Sequence, residues 1–215
     1  MLAFTPATIP SILPSISFFN IMTYDLMNRR DTITLHHAGI QASLTSINAY
    51  ISAGVPPSTM NLGFAFYVKY FKTDSSLASR EICRLAWKTN SGIGCPTGLM
   101  EDPNTGGDLG KTGGFSWHDR VPSEVEGSFD KAKTLSKWDP VGGGNGYWDE
   151  QENLWWTWEN EKAIMEKVEK VVKAKGIEGV FAWGLGEDGD KFEHLQALNK
   201  AYNNLQAGRQ ARNEL

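Results

Sequence analysis

Apolar positions along this chain gather into three short runs, and each run ends on a residue able to do chemistry. The first, residues 18–25, is unbroken by charge until it stops at Tyr24 and Asp25; the second, 60–67, closes on Tyr67; the third, 179–185, carries Trp183 near its end. Four to eight consecutive apolar, β-branched and aromatic residues predict buried strands. Strands that finish on a phenol, a carboxylate or an indole are how an α/β barrel delivers chemistry to its C-terminal rim.

Helical spacing fills the intervals. Ile40, Leu44, Ile47 and Ile51 predict a helix over 40–53, stopped by Gly54 and followed by Pro56 and Pro57. Thr5 as a cap and Pro6 behind it predict a short helix over 5–13. Ile164, Val168, Val171 and Val172 form the apolar stripe of a helix over 159–175, with its charges on the opposite face and Gly176 ending it. A last helix is expected over 190–207, and the polar tail 208–215 is expected to fray. Helix followed at once by strand is the unit that builds parallel sheets.

The rhythm breaks between about 71 and 146, a stretch rich in Gly, Ser, Asp and Pro with short aromatic patches. So long a segment inside a domain is not one structureless loop. It reads as an inserted small α+β module with hairpins, a helix over 129–136, a glycine turn at 142–146 and a short strand at 147–149; another short strand follows at 154–158. The glycine run lacks a Gly-Lys-Ser/Thr ending, which argues against a phosphate loop.

Composition narrows the function classes. The 215 residues are 40% hydrophobic and 21% charged, the balance of a soluble globular protein. A net charge of -4 gives no reason to expect a nucleic acid or an anionic membrane as partner, and no run approaches the length of a membrane span. Residues 1–10 lack a basic start and are interrupted by proline, so they do not read as a signal peptide. Eight Trp are many; an indole fills a core or offers a flat apolar face to a sugar ring. Trp148, Trp155, Trp156 and Trp158 are expected in the core of the module. Cys83 and Cys95 would close a short loop in an oxidising compartment and remain two thiols in the cytosol. His36 and His37, on a loop at the strand ends, are expected to be a solvated pair. Glu187, Asp188 and Asp190 lack the spacing of a calcium loop, and no metal or other cofactor is expected.

In order, these segments resemble glycoside hydrolase family 18, the chitinases and chitinase-like lectins. Residues 22–25 are similar to that family's sixth barrel strand, 62–67 to its seventh and 179–183 to its eighth, the stretch between them resembles its α+β insertion, and residues 1–6 are similar to the segment after the fifth strand. The resemblance implies an α/β fold, part of a (β/α)8 TIM barrel. Residues 1–70 and 151–215 would be barrel segments and 71–150 the inserted module. It implies chitin or chito-oligosaccharides as partner and an extracellular location. Hydrolysis in such enzymes is substrate-assisted, the N-acetyl oxygen attacking the anomeric carbon. By resemblance Tyr24 holds the N-acetyl carbonyl and Asp25 bonds sugar hydroxyls or partners the acid. Met22, Tyr67 and Trp183 bind substrate, Trp183 as the floor. Without the resemblance, Tyr24 also fits a core tyrosine, Asp25 a loop cap and Met22 a filler of the barrel interior.

Two departures stand out. The family's Asp-x-x-Asp-x-Asp-x-Glu signature, whose last Glu is the general acid, occurs nowhere in these residues, and Val68-Lys69 replaces the usual Gly-Arg after Tyr67. Three strands of a barrel that needs eight point to a truncated or split chitinase without turnover of its own. A non-catalytic chitin-binding, lectin-like protein and a remnant without autonomous function are the alternatives.

Overall fold

Thr5 and Thr8 open the described chain, residues 4–213 of a computed structural model. Their hydroxyls and backbone amides bond one another in a turn that leads into α1 (Ile9–Ile12). Residues 1–3, part of the segment compared with that after the fifth strand, lie outside the described residues, as do 214 and 215. The order continues β1 (Phe19–Ile21), α2 (Ile40–Ser52), β2 (Met60–Ala65), β3 (Tyr67–Lys72), α3 (Leu77–Thr89), β4 (Thr112–Ser116) and α4 (Glu126–Leu135). Then come β5 (Lys137–Asp139), β6 (Gly144–Asp149), β7 (Leu154–Trp158), α5 (Glu161–Lys167) with a π-helical continuation over Val168–Lys173, β8 (Gly179–Trp183) and α6 (Glu193–Asn213). The fold is mixed α/β.

The strands form two sheets. β1, β2 and β8 are parallel in the order β1-β2-β8, with Asn20 opposite Asn61 and Asn61 opposite Gly179. β3 to β7 form an antiparallel sheet in the order β4-β3-β7-β6-β5. The chain leaves the first sheet for the second across Phe66 alone, whose N–H donates to the carbonyl of Trp183 (2.8 Å). The second sheet therefore starts at Tyr67 and takes in β7, reaching beyond the expected 71–150 at both ends.

Period-two alternation decides what each face of the parallel sheet meets. Ile21, Leu62 and Phe64 point to a core shared with Ile47 of α2, Ile164 of α5, Val168 and Val171 of the π-helical turn, and Leu198 of α6. Burying each such side chain stabilises the fold by about 1.5–3 kcal/mol. The opposite face presents Phe18, Met22 and Trp183 as large exposed apolar groups. In the antiparallel sheet, Trp156 and Trp158 face Phe129 of α4, while Trp155 and Trp148 face Phe71 and the Cys83–Cys95 pair. All four indoles are buried, as expected of module core.

Other expectations need correcting. α3, not anticipated, is capped by Ser76, whose hydroxyl accepts the Ser79 N–H (3.4 Å). The tail does not fray at 208: α6 runs to Asn213, its last turns held by the Arg209 guanidinium, which donates to the carbonyls of Ile177 (2.6 Å) and Glu178 (3.4 Å). The expected stripe of α5 holds, but Lys167, expected among its solvated charges, is fully buried.

Candidate functional site

The two sheets meet around an open cleft of about 560 Å³ lined by Met22, Tyr24, Asp25, Tyr67, Lys69 and Trp183, with Ser116, Asp119 and Glu187 completing its far rim. The five residues singled out from sequence thus share one cavity. Trp183 is 60% and Met22 66% exposed, whereas Tyr24 is only 9% exposed.

Main-chain geometry puts Tyr24 there. Just past β1, Thr23 donates its hydroxyl to the Gly63 carbonyl (2.7 Å) and its N–H to Ile21 (2.9 Å), fixing the turn out of the strand. The phenol then lies against Gly63, where a Cβ would sit 2.8 Å from Tyr24 Cε1, 2.9 Å from the Ile21 oxygen and 2.9 Å from Phe181 Cζ. Glycine here makes a slot for the ring. Tyr67 and Phe181 close it edge-on, with centroids 6.2 Å and 6.3 Å away. Among the described residues, the buried Tyr24 hydroxyl has no hydrogen-bond partner. Burial and then the Asp25 charge push this phenol above its ordinary pKa, so it stays a neutral O–H donor.

Asp25 takes a left-handed backbone (φ 55°), a conformation Asp tolerates better than most residues, and its Oδ1 gathers the neighbours. Tyr67 Oη and Lys69 Nζ both donate to it at 2.8 Å, and His37 Nδ1 lies 3.8 Å away. Burial pushes the carboxyl up, but the His37 ring, the Lys69 ammonium and the Tyr67 hydroxyl together hold it well below the usual carboxylate range. Burial, with the Lys69 and Lys167 charges, pushes His37 down to about 4 against the pull of Asp25. At neutral pH Asp25 is a carboxylate and His37 a neutral imidazole. Burial, followed by the Asp25 charge, raises the Tyr67 phenol, which remains protonated.

The histidines are therefore not a solvated pair. His37 packs against Tyr67, ring centroids 5.3 Å apart and planes tilted by 45°. His36 is buried beside Trp155, with Nδ1 3.3 Å from the Thr157 hydroxyl and Nε2 3.3 Å from Asp139. Apolar neighbours from the second sheet, which a loop reading does not supply, cover both. Asp188 caps α6, accepting the N–H groups of His194 (3.2 Å) and Leu195 (2.9 Å) and facing His194 Nδ1 at 2.6 Å. Cys83 and Cys95 are bonded to each other, Cα–Cα 4.4 Å, inside the module core and away from the cleft. Gly63, His37 and Lys69 were missed as site residues. The period-two step from Tyr67 to Lys69 was a usable signal, since it puts both on one face of β3.

The family model described as Glycosyl hydrolases family 18 matches residues 3–188. Among solved structures, the chain is similar to a chitinase from Rhizomucor miehei (20% identity, TM-score 0.66, covering 88% of this chain and 54% of that one). It is similar also to a chitinase from Cycas revoluta solved in complex with (GlcNAc)3 (21%, 0.60, 89% and 48%), and to a class V chitinase from Nicotiana tobaccum (17%, 0.57, 90% and 52%). At such identities the likeness is one of fold. The chain spans about half the length of these structures. No curated protein matches it by sequence.

Proposed function

The chain belongs to the glycosyl hydrolases family 18, and on that premise we propose that its cleft is the N-acetyl-sugar end of a chitinase site. In this reading β1, β2 and β8 are the last three staves of an eight-stranded β/α barrel and the antiparallel sheet is its α+β insertion. The intact protein hydrolyses β-1,4-linked N-acetylglucosamine polymers outside the cell, a location that the Cys83–Cys95 bond supports.

The observation that carries the reading is the Tyr24 hydroxyl, buried without a partner among the described residues, in a residue that lines the same cleft as the exposed Trp183 indole. An unpaired buried donor costs about 1–3 kcal/mol, a cost relieved when a ligand acceptor fills the cleft. An N-acetyl carbonyl is such an acceptor, and holding it rigidly prepares its oxygen to attack the anomeric carbon. The indole face serves the apolar C–H face of the same sugar.

A binding-only reading is favoured by one specific feature. General acid catalysis needs a carboxyl protonated near the working pH. Asp25 is held ionised by its neighbours, and the Asp-x-x-Asp-x-Asp-x-Glu signature is absent from these residues. The chain by itself is therefore expected to bind chito-oligosaccharide without turning it over.

Isothermal titration with tetra-N-acetylchitotetraose tests this. Trp183→Ala and Tyr24→Phe should each weaken binding about tenfold or more, ~1.4 kcal/mol, with cooperative unfolding retained. A folded chain that binds neither the tetramer nor a chitin column removes the assignment, and release of shorter sugars removes the expectation of inactivity.

A further inference from the structure

A buried ion pair bonds backbone groups that stand next to or within two residues of Tyr24, His37 and Tyr67. Lys167, at the end of α5, is 0% exposed. Its Nζ donates to Glu159 Oε1 (3.0 Å), to the Thr23 carbonyl (3.1 Å) and to the Ala38 carbonyl (3.3 Å). An ammonium has three N–H groups, so all are used. Glu159 completes the link, its Oε2 accepting the Ala65 N–H at 2.6 Å. Thr23 precedes Tyr24, Ala38 follows His37, and Ala65 stands two residues before Tyr67. The ammonium also lies 4.9 Å from the Phe64 ring centroid.

An amphipathic helix has no packing need for a lysine on its buried side, and a buried ion pair is a weak source of stability because desolvation offsets its attraction. What the pair offers is geometry: three bonds to three separate backbone segments, made from the end of α5 and from Glu159 just before its start. We propose that Lys167 and Glu159 are positioning residues that set the placement of Tyr24 and Tyr67 in the cleft. This rests on the reading of the cleft as an N-acetyl-sugar site. A substrate-positioning phenol loses its advantage when displaced by a fraction of an ångström to an ångström, so the network acts on affinity through Tyr24.

The test uses the double variant Lys167→Met with Glu159→Leu, which leaves no unpaired charge in the core, alongside Lys167→Met alone. Two readouts are needed. Tetra-N-acetylchitotetraose affinity is measured by titration. The Tyr24 ring resonances, shifted by the edge-on rings of Tyr67 and Phe181, are followed by NMR of ring-labelled tyrosine without ligand and assigned with Tyr24→Phe. The expected result is a double variant that unfolds cooperatively, binds at least tenfold more weakly and shows displaced Tyr24 resonances. Wild-type resonances and affinity in the folded double variant overturn the proposal. If the wild-type chain binds no sugar, the functional reading fails on its own, and the resonances still decide: displaced, the network positions the phenol; unmoved, it does not. If the double variant does not fold, Lys167→Arg in the intact pair decides by the same resonances, displaced for and unmoved against.

Discussion

Gly63→Ala is the most direct probe of how the cleft is built. A methyl group at this position meets Tyr24 Cε1 at 2.8 Å, the Ile21 carbonyl at 2.9 Å and Phe181 Cζ at 2.9 Å, all below the separation real Cβ atoms keep. The Ile21 oxygen is main chain, and Thr23 bonded to Gly63 holds the neighbouring turn, so the two rings must yield. Overpacking of this kind costs about 1–3 kcal/mol, offset by the roughly 0.5–1 kcal/mol that replacing a strand glycine returns. A net loss of about 1–2 kcal/mol lowers Tm by about 2–8 °C in a chain of this size. Affinity for tetra-N-acetylchitotetraose should fall more than stability implies, because the displaced ring is the one whose hydroxyl we propose binds the sugar. Adding Phe181→Leu removes one of the three clashes and should recover about 0.5–1 kcal/mol of coupling in a double-mutant cycle. Calorimetry and titration on the four proteins complete the test. A Gly63→Ala chain with Tm within a degree of wild type and unchanged affinity would refute the slot.

Two further outcomes are expected. His37 titrates at about 4 in the folded protein against an ordinary 6.5, so the unfolded chain takes the proton first. Stability is complete above pH 6.5 and declines as pH falls toward 4, by about 3 kcal/mol. Denaturant midpoints measured across that window should show the decline and should flatten in His37→Gln; an unaltered slope in that variant counts against the buried neutral imidazole. Breaking the bond between Cys83 and Cys95, 12 residues apart, should cost about 3 kcal/mol by loop-closure entropy. That is a Tm lower by about 6–12 °C for the double Cys→Ser variant, with sugar affinity unaffected because the bond lies outside the cleft; loss of affinity at a temperature where the variant is folded would contradict that separation.

The strands β1, β2 and β8 were legible because buried strands write themselves as apolar runs, and α2 and α5 because their stripes repeat at helical spacing. Tyr24, Asp25, Tyr67 and Trp183 stood out by their places at the ends of those runs and Met22 by its period-two step from Tyr24, while their roles came from the family resemblance. What could not be read depends on partners far along the chain. Lys167 looks like any surface lysine until Thr23, Ala38 and Glu159 converge on it. The histidine pair looks solvated until the module's strands cover it. Gly63 looks like an interruption of a strand, and only the approach of two rings from neighbouring strands gives it a purpose. α3 was lost because the polar stretch around it hid a helix whose buried side is little more than Ser79, Cys83 and Ala86.

The passage from one sheet to the other through Phe66 has a mechanical consequence. Floor and wall of the groove share a covalent corner one residue wide, and the Phe66–Trp183 hydrogen bond braces it. Widening the aperture means breaking that main-chain bond at a residue whose side chain is wholly enclosed by its neighbours, so jaw width is set by main chain. Grafting new tips onto the loops will alter what greets a ligand at the entrance while leaving the gauge of the opening as it is.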